Sequence, residues 1–395
     1  MEALVDMRRP PSMTLEEKIA QLFVLRVHGP SAETQDSEAV EHNQAAYGVD
    51  NAAALVSTYQ PGGIVYFRTS GNIDIPTQIA TLSNSIQRSA MSREGGSPVP
   101  LLISVDQEGG RVARMSPPVT WFPSAKTIAS LDVQTAENVA SIMATELRAL
   151  GINQNYAPVA DVVTNPENRV IGDRSFSSDP DTAAAFVRAQ IRGFQRGGLI
   201  PTVKHFPGHG GTAVDTHTGR AVIEHSRDEW ERLHLPPFRA ALEAGVDAVM
   251  TGHLVFPALD PSETIATASY PIITDILRGE LGFDGVVVTD GLGMEAARVA
   301  YGDTEAPLRA LQAGVDQLLT PADGTFPGAI KTIRRAVEIG ELSVERIDES
   351  VDRILRLKAK CGLFDDPYID VNLASRFVGA RDHLQTARRV TGNLP

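Results

Sequence analysis

The stretch Lys204-His205-Phe206-Pro207-Gly208-His209-Gly210, with Asp215-Thr216-His217 close behind it, gathers three of the chain's nine histidines. A plain connecting loop has little use for so many titratable groups. The apolar run Leu199 to Val203 precedes them, as a buried strand precedes an active-site loop. Residues two apart in extended chain point to the same side. Asp215 can then accept a hydrogen bond from His217, fix its tautomer and raise its basicity. The other ring nitrogen is left to exchange a proton with a substrate. The same spacing also suits a surface ion pair with no task. Lys204 and His205 carry donors that suit hydroxyl or anionic groups. Strand alternation sends one of them inward and the other outward, unless the strand twists or bulges there. His205 and His209 have the spacing of a helical metal site, but Pro207 and Gly208 between them argue against a helix, and the metal reading loses its warrant.

Three further places bring carboxylates or guanidinium groups to the end of an apolar run. Gly285-Val286-Val287-Val288-Thr289 needs burial and delivers Asp290 at its C-terminal end, where barrel enzymes keep catalytic carboxylates and where a helix-capping aspartate would also fit. Asp106-Gln107-Glu108-Gly109-Gly110-Arg111-Val112-Ala113-Arg114 follows the run Pro100 to Val105. Ile171-Gly172-Asp173-Arg174-Ser175-Phe176 follows another run after a long loop. Arginines here can make forked hydrogen bonds to paired oxygens, and Asp106 can accept from vicinal hydroxyls. Loop-bracing salt bridges are the alternative for both clusters.

The elements that must position these residues alternate along the chain. Short non-alternating apolar runs begin with Gly62 to Phe67 and continue with Pro100 to Val105, Asn153 to Val159, the run ending at Val203, Ala248 to Thr251, Gly285 to Thr289 and Asp316 to Leu319. They read as strands buried on both faces. Helix-like segments lie between them: Ala136 to Leu150 with Gly151 as a cap, Pro180 to Arg196 between Asp179 and Gly197, Ser226 to Ala244, and Ile272 to Leu281. Strand–helix alternation implies a parallel sheet, doubly wound or closed. We favour an α/β fold of the TIM-type (β/α)8 barrel class, because the candidate residues follow many different strands and a barrel collects all those ends on one face. No GxGxxG follows the first apolar run and no P-loop sequence occurs. Residues 28–58, polar and alanine-rich, precede the first clear strand and suggest an elaborated loop with a helix. The expected organisation is a barrel over 13–363 and a C-terminal strap or linker over 364–395.

Composition narrows the partners. The 395 residues are 42% hydrophobic, enough for a large core, and carry 36 basic against 49 acidic side chains, a formal charge of −13. That balance argues against nucleic acid. The single cysteine, Cys361, excludes an internal disulfide and a thiolate metal cluster. Met1 to Met13 has arginines and prolines but no apolar h-region, and no apolar run approaches the roughly 20 residues of a membrane span. The expectation is a cytoplasmic protein.

Val105-Asp106-Gln107-Glu108-Gly109-Gly110-Arg111-Val112, Gly172-Asp173-Arg174-Ser175-Phe176, Lys204 to Gly210 and Thr289-Asp290-Gly291-Leu292, taken together and in this order, resemble glycoside hydrolase family 3. Asp215-Thr216-His217 is similar to the element that marks the bacterial β-N-acetylhexosaminidase branch of that family. The resemblance runs from about Met13 to the end. It implies a TIM-type barrel and a retaining, two-step mechanism on a terminal β-linked GlcNAc of peptidoglycan or chitin fragments, with no cofactor and no metal. By the same resemblance Asp290 is the nucleophile, His217 the acid/base and Asp215 its orienting partner, while Asp106, Arg114, Arg174, Lys204 and His205 bind the terminal sugar. His209 belongs to the motif without an assigned role.

Three departures stand out. Gly211 and Gly291 occupy positions where many relatives have Asp and Asp or Ala, and the sequence ends at Thr391-Gly392-Asn393-Leu394-Pro395, which resembles the linker before a second domain of many relatives. Alternatives remain open. A neutral imidazole repels anions less than a carboxylate does, so phosphate can compete with water and give a phosphorylase. A β-glucosidase or β-xylosidase of the same family commonly draws its acid/base from a later domain. A non-catalytic sugar-binding barrel and a metal-dependent barrel hydrolase are readings of other classes.

Overall fold

The computed structural model describes residues 13–92 and 98–392. The N-terminal stretch read above as lacking an h-region lies, up to residue 12, outside them, as do the last three residues of the linker-like end. Eight parallel strands follow one another around a barrel: β1 Phe23–Arg26, β2 Gly63–Val65, β3 Leu102–Val105, β4 Gln154–Asn155, β5 Ile200–Phe206, β6 Ala248–Thr251, β7 Val286–Thr289 and β8 Leu318–Leu319. β1 pairs with both β2 and β8, and a parallel bridge between Val288 and Gln317 brings β7 to the start of β8 and closes the ring. Strands are neighbours in sequence order, the arrangement expected of a TIM-type barrel.

Helices return the chain between strands. Asp132 and Asp179 cap Val133–Ala149 and Pro180–Arg196, accepting from the Thr135 and Thr182 amides at 2.8 Å each. The segment 226–244, read as one helix, is two, Arg227–Leu233 and Leu235–Glu243, because Pro236 and Pro237 have no amide to continue the ladder. The segment read as a helix from Ile272 to Leu281 is a π-helix over Pro271–Glu280.

The strand runs are buried on both faces because the barrel is filled. Val24, Val65, Tyr156, Met250, Val288 and Leu319 pack together across its interior. Their neighbours Leu25, Ile64, Val249, Val287 and Leu318 belong to the main core beneath the surrounding helices. The alternation of the pleat thus sets two cores, one inside the barrel and one between sheet and helices.

Two expectations change. Phe23–Arg26, not the run at Gly62, is the first strand; its four residues between a short helix, Leu15–Gln21, and a polar segment carry too little pattern to stand out. Residues 28–58 are therefore the β1–β2 crossover, and they hold two helices, Ser37–Tyr47 and Ala52–Tyr59. Beyond residue 363 come two more helices, Val371–Phe377 and Arg381–Gly392. The Ile369 amide and carbonyl bond the Asn84 side chain at 3.0 and 2.8 Å, and His383 Nδ1 meets the buried Glu146 carboxylate at 2.7 Å, so this segment lies against the outer helices Pro76–Met91 and Val133–Ala149. No helix of the described residues is long and apolar enough to cross a membrane.

One buried charge gives a stability prediction. Lys358 is fully buried in the helix Val344–Lys360, and its ammonium donates to the neutral Gln21 Oε1 at 2.7 Å. Burial pushes its pKa down to about 7. Below pH 7 the folded chain carries the full cost of a buried ammonium. Between 7 and the unfolded value near 10.4 only the unfolded chain keeps the proton, so this group makes stability rise with pH. Lys358→Met leaves the Gln21 carbonyl oxygen unpaired, at about 1–3 kcal/mol, against a larger desolvation cost removed. We expect a higher melting temperature than wild type at pH 6 and an advantage that shrinks or reverses by pH 10; a difference independent of pH across thermal melts contradicts it.

Candidate active site

The site lies at the C-terminal ends of the strands. After β3 the chain makes a tight hairpin in which Gln107–Gly109 pairs antiparallel with Val112–Ala113. Its turn requires glycine: Gly109 has φ +101°, and a Cβ there would lie 2.7 Å from the Pro123 carbonyl oxygen. Asp106 and Glu108, two residues apart, reach the same Lys204 ammonium, each at 2.7 Å. Glu108 also takes a forked pair from Arg174, Nε to Oε2 at 2.8 Å and Nη2 to Oε1 at 2.7 Å. Burial alone would raise the Glu108 pKa, but Arg174 and Lys204 overcome it and hold the carboxyl well below the usual carboxylate range. Lys204 is pushed down by burial and raised further by Asp106 and Glu108, with a net shift upward. The neighbouring Arg111–Asp173 pair, at 3.1 Å and half exposed, is the loop brace that was the alternative for these clusters.

Lys204 and His205 both face the site, against the expectation from simple alternation. The ladder between β5 and β6 slips between Val203 and Phe206. His205 Nδ1 bonds the fully buried Asp161 carboxylate at 2.7 Å, which fixes the tautomer with the proton on Nδ1 and turns Nε2 to within 4.0 Å of Asp290 Oδ2. Asp161 also accepts from the His205 and His209 amides, at 3.3 and 2.6 Å. Burial raises its pKa, and the imidazole and amide partners reverse that to a net downward shift. The motif closes on Gly210 because a Cβ there would sit 1.7 Å from the Val162 carbonyl oxygen.

Asp290 leaves β7 with its amide bonded to the Thr251 carbonyl at 3.1 Å. Its Oδ1 accepts from the Gly291 amide at 2.7 Å, and its side chain keeps 21% exposure. Burial raises its pKa; His205, His253, the Gly291 amide and Lys204 together more than offset this, and the net direction is downward. The carboxylate is therefore held ionised, with Oδ1 engaged by the Gly291 amide and Oδ2 4.0 Å from His205 Nε2.

Asp215 and His217 stand on the loop that leaves β5, at 40% and 66% side-chain exposure. His217 Nδ1 bonds Asp215 Oδ1 at 2.8 Å, and its amide bonds the same oxygen at 2.9 Å. Thr216, between them, is buried and anchors the loop. Its carbonyl accepts from the Ala296 amide at 3.3 Å, and its hydroxyl lies 3.5 Å from His209 Nε2. His217 and Asp290 both lie within electrostatic reach of His253. The Asp215 pKa is raised by burial and lowered by the His217 bonds, with a net fall.

The structure thus joins Asp106, Arg174, Lys204, His205 and Asp290 at one end of the barrel, and the Asp215–His217 pair stands on the loop after β5 that Thr216 ties to Ala296 and His209. Arg114 is exposed, and its side chain has no hydrogen-bond or ion-pair partner among the described residues. Sequence reasoning missed Glu108, Asp161 and His253 as site residues. Each had a signal: Glu108 stands two residues from Asp106, Asp161 two beyond the run Asn153 to Val159, and His253 two beyond β6. Among the described residues no group of three His, Cys, Asp or Glu side chains is placed to hold a metal.

Breaking the Glu108 cluster has a calculable cost. Glu108→Gln keeps the shape but leaves Arg174 without its ion pair and Lys204 with Asp106 alone; the loss is about 3–5 kcal/mol. Denaturant melts at pH 7 check this, and a change below about 1 kcal/mol would show the cluster to be energetically neutral.

A sequence model of the glycosyl hydrolase family 3 N-terminal domain matches residues 14–357. Beta-hexosaminidase A of Pseudoalteromonas piscicida is 38% identical over 330 residues, covering 78% of this chain and 54% of that protein, so the chain spans about half the length of this relative. Beta-hexosaminidase LpqI of Mycobacterium tuberculosis is 34% identical over 357 residues, covering 88% of this chain and 84% of that one. The solved structure of a glycoside hydrolase family 3 beta-N-acetylglucosaminidase from Paenibacillus sp. superposes with a TM-score of 0.86 at 39% identity, over 96% of this chain and 68% of that one. Barrel, motif order and relatives agree: the chain belongs to glycosyl hydrolase family 3.

Proposed function

We propose that the chain is a retaining exo-β-N-acetylglucosaminidase that removes terminal GlcNAc through a covalent glycosyl-enzyme. The observation that supports this reading is the Asp290 carboxylate at the end of β7, bonded at one oxygen, together with the Asp215–His217 pair on a loop tied to Ala296 through Thr216. The names of the relatives, β-hexosaminidases and a β-N-acetylglucosaminidase, support the substrate class.

Asp106, Lys204, His205 and Arg174, with Arg114, hold the hydroxyls of the terminal sugar. Asp290 Oδ2 attacks the anomeric carbon through an oxocarbenium-like transition state that its charge stabilises. His217, protonated and steadied by Asp215, gives its proton to the leaving oxygen. In the second step the neutral imidazole takes a proton from water, water attacks the anomeric carbon, and Asp290 departs.

A panel of chromogenic aryl β-glycosides of GlcNAc, glucose and xylose tests the substrate class. We expect kcat/KM for the GlcNAc glycoside to exceed the others by at least about 100-fold, since a site that hydrogen-bonds a substrate group can reject an analogue lacking it by up to about 10⁴–10⁵. Free GlcNAc is the expected product with or without inorganic phosphate. Equal rates on the glucoside, or GlcNAc 1-phosphate as the product in phosphate, would replace this reading with a β-glucosidase or a phosphorylase.

A further inference from the structure

His253 lies two residues beyond β6, fully buried, and neither grips the sugar-binding cluster nor belongs to the proton pair. Both of its ring nitrogens are engaged. Nε2 is 3.0 Å from the Gly291 carbonyl oxygen, and Nδ1 is 2.8 Å from Thr267 Oγ1. A carbonyl oxygen only accepts, so Nε2 carries the proton. Burial shifts the His253 pKa downward, which keeps the ring neutral and makes Nδ1 an acceptor. The Thr267 hydroxyl, 2.8 Å from Nδ1 and 3.2 Å from the Gly252 carbonyl oxygen, then donates to the nearer acceptor, Nδ1. Thr251 Oγ1, at 2.8 Å, supplies a donor to Thr267 in turn. One proton order runs from Thr251 through Thr267 and His253 to the carbonyl of Gly291.

Gly291 is where this chain meets the chemistry. Its amide is the donor that engages Asp290 Oδ1 at 2.7 Å, and its carbonyl is the acceptor for His253. That carbonyl also takes the Met294 amide at 3.1 Å, so both of its lone pairs are used. Glycine has the most freely rotating backbone of any residue, and the direction of its amide depends on what fixes the residue. We infer that His253 is a positioning residue for the nucleophile: by holding the Gly291 carbonyl, it keeps the Gly291 amide aimed at Asp290 Oδ1 and leaves Oδ2 as the attacking oxygen. This rests on the assignment of Asp290 as nucleophile.

The donor at Nε2 is what matters, so the variants remove or restore it. His253→Phe fills the same space without a donor. His253→Gln keeps an N–H at a comparable reach. With 2,4-dinitrophenyl β-GlcNAc, whose leaving group needs no proton, the saturating rate of the first dinitrophenolate release reports attack by Asp290, and the kcat and KM that follow are those of this single turnover. His253→Phe is expected to lower kcat about 100-fold, the size of effect that sub-ångström to 1 Å misplacement of a reacting group produces, with KM within about threefold. His253→Gln is expected to recover at least about tenfold of that loss. A kcat for His253→Phe within about threefold of wild type overturns the inference, and so does a His253→Gln no better than His253→Phe. If His253→Phe does not fold, Thr267→Val reads the chain from its other end: kcat is expected to fall about tenfold at constant KM, the worth of one lost hydrogen bond, and an unchanged kcat overturns the inference. Asp290→Ala in the same assay separates the two claims. Wild-type turnover by Asp290→Ala removes the nucleophile and this inference with it. An inactive Asp290→Ala beside an unimpaired His253→Phe removes this inference alone.

Discussion

Asp290→Ala is expected to lower kcat/KM on every β-GlcNAc substrate by more than about 10⁴-fold while the protein keeps its melting temperature to within a few degrees. The size follows from the loss of a covalent route: removing a nucleophile leaves only binding and the remaining electrostatics. Stability is expected to hold because the side chain is partly exposed and its polar contact is a hydrogen bond to the adjacent amide, with His205 Nε2 no nearer than 4.0 Å. The loss should not depend on the leaving group, since attack at the anomeric carbon precedes all products. Turnover by the variant within about tenfold of wild type, measured on the 4-nitrophenyl glycoside, removes Asp290 from the mechanism.

His217→Ala is expected to behave differently. General acid catalysis is worth about 10²–10⁴-fold where the leaving oxygen is basic and almost nothing where it is not. A GlcNAc disaccharide, whose leaving oxygen is basic, should therefore slow by about 10³-fold, while glycosylation by the 2,4-dinitrophenyl substrate stays within about tenfold of wild type. Deglycosylation also loses its base, so with that substrate a burst of one equivalent of dinitrophenolate should precede a slow steady state. The exposed position of His217, tied down only through Asp215 and Thr216, makes a fold-wide explanation of such a split untenable. Equal losses across leaving groups, with no burst, contradict the acid/base role. Asp215→Ala should lie between the two, because the imidazole remains but loses the bond at 2.8 Å that orients it.

What the sequence revealed and what it hid divide along a physical line. Val286 to Val288 can be satisfied only inside a sheet buried on both faces, so Asp290 was legible as a residue at a strand end. Asp179 and Pro180 marked their helix start through local chemistry, and Asp215 and His217 found each other across a spacing of two. The failures are tertiary. Whether Lys204 and His205 share a side depends on the slip in the β5–β6 ladder, which no local pattern encodes. Glu108 and Asp161 are significant because cations and imidazoles from elements far along the chain converge on them, Arg174 and Lys204 on one and His205 on the other. β1 was hidden by its length, and residues 28–58 were misplaced with it. Pro236 and Pro237 divide a segment that reads as one helix from its composition.

Arg114 shows the limit from the other direction. Among the described residues its guanidinium makes no hydrogen bond or ion pair, although the hairpin it closes carries Asp106 and Glu108. In the proposed function this guanidinium is one of the groups that meet a substrate oxygen.

The central claim, a covalent sugar on Asp290, is tested most directly by mapping it. His217→Ala mixed with 2,4-dinitrophenyl β-GlcNAc and quenched in acid should accumulate the glycosyl-enzyme, and peptide mass spectrometry should place one GlcNAc on the peptide that contains Asp290. Turnover without an adduct on any carboxylate, or an adduct on Asp106, Asp161 or Asp215 instead, would contradict it.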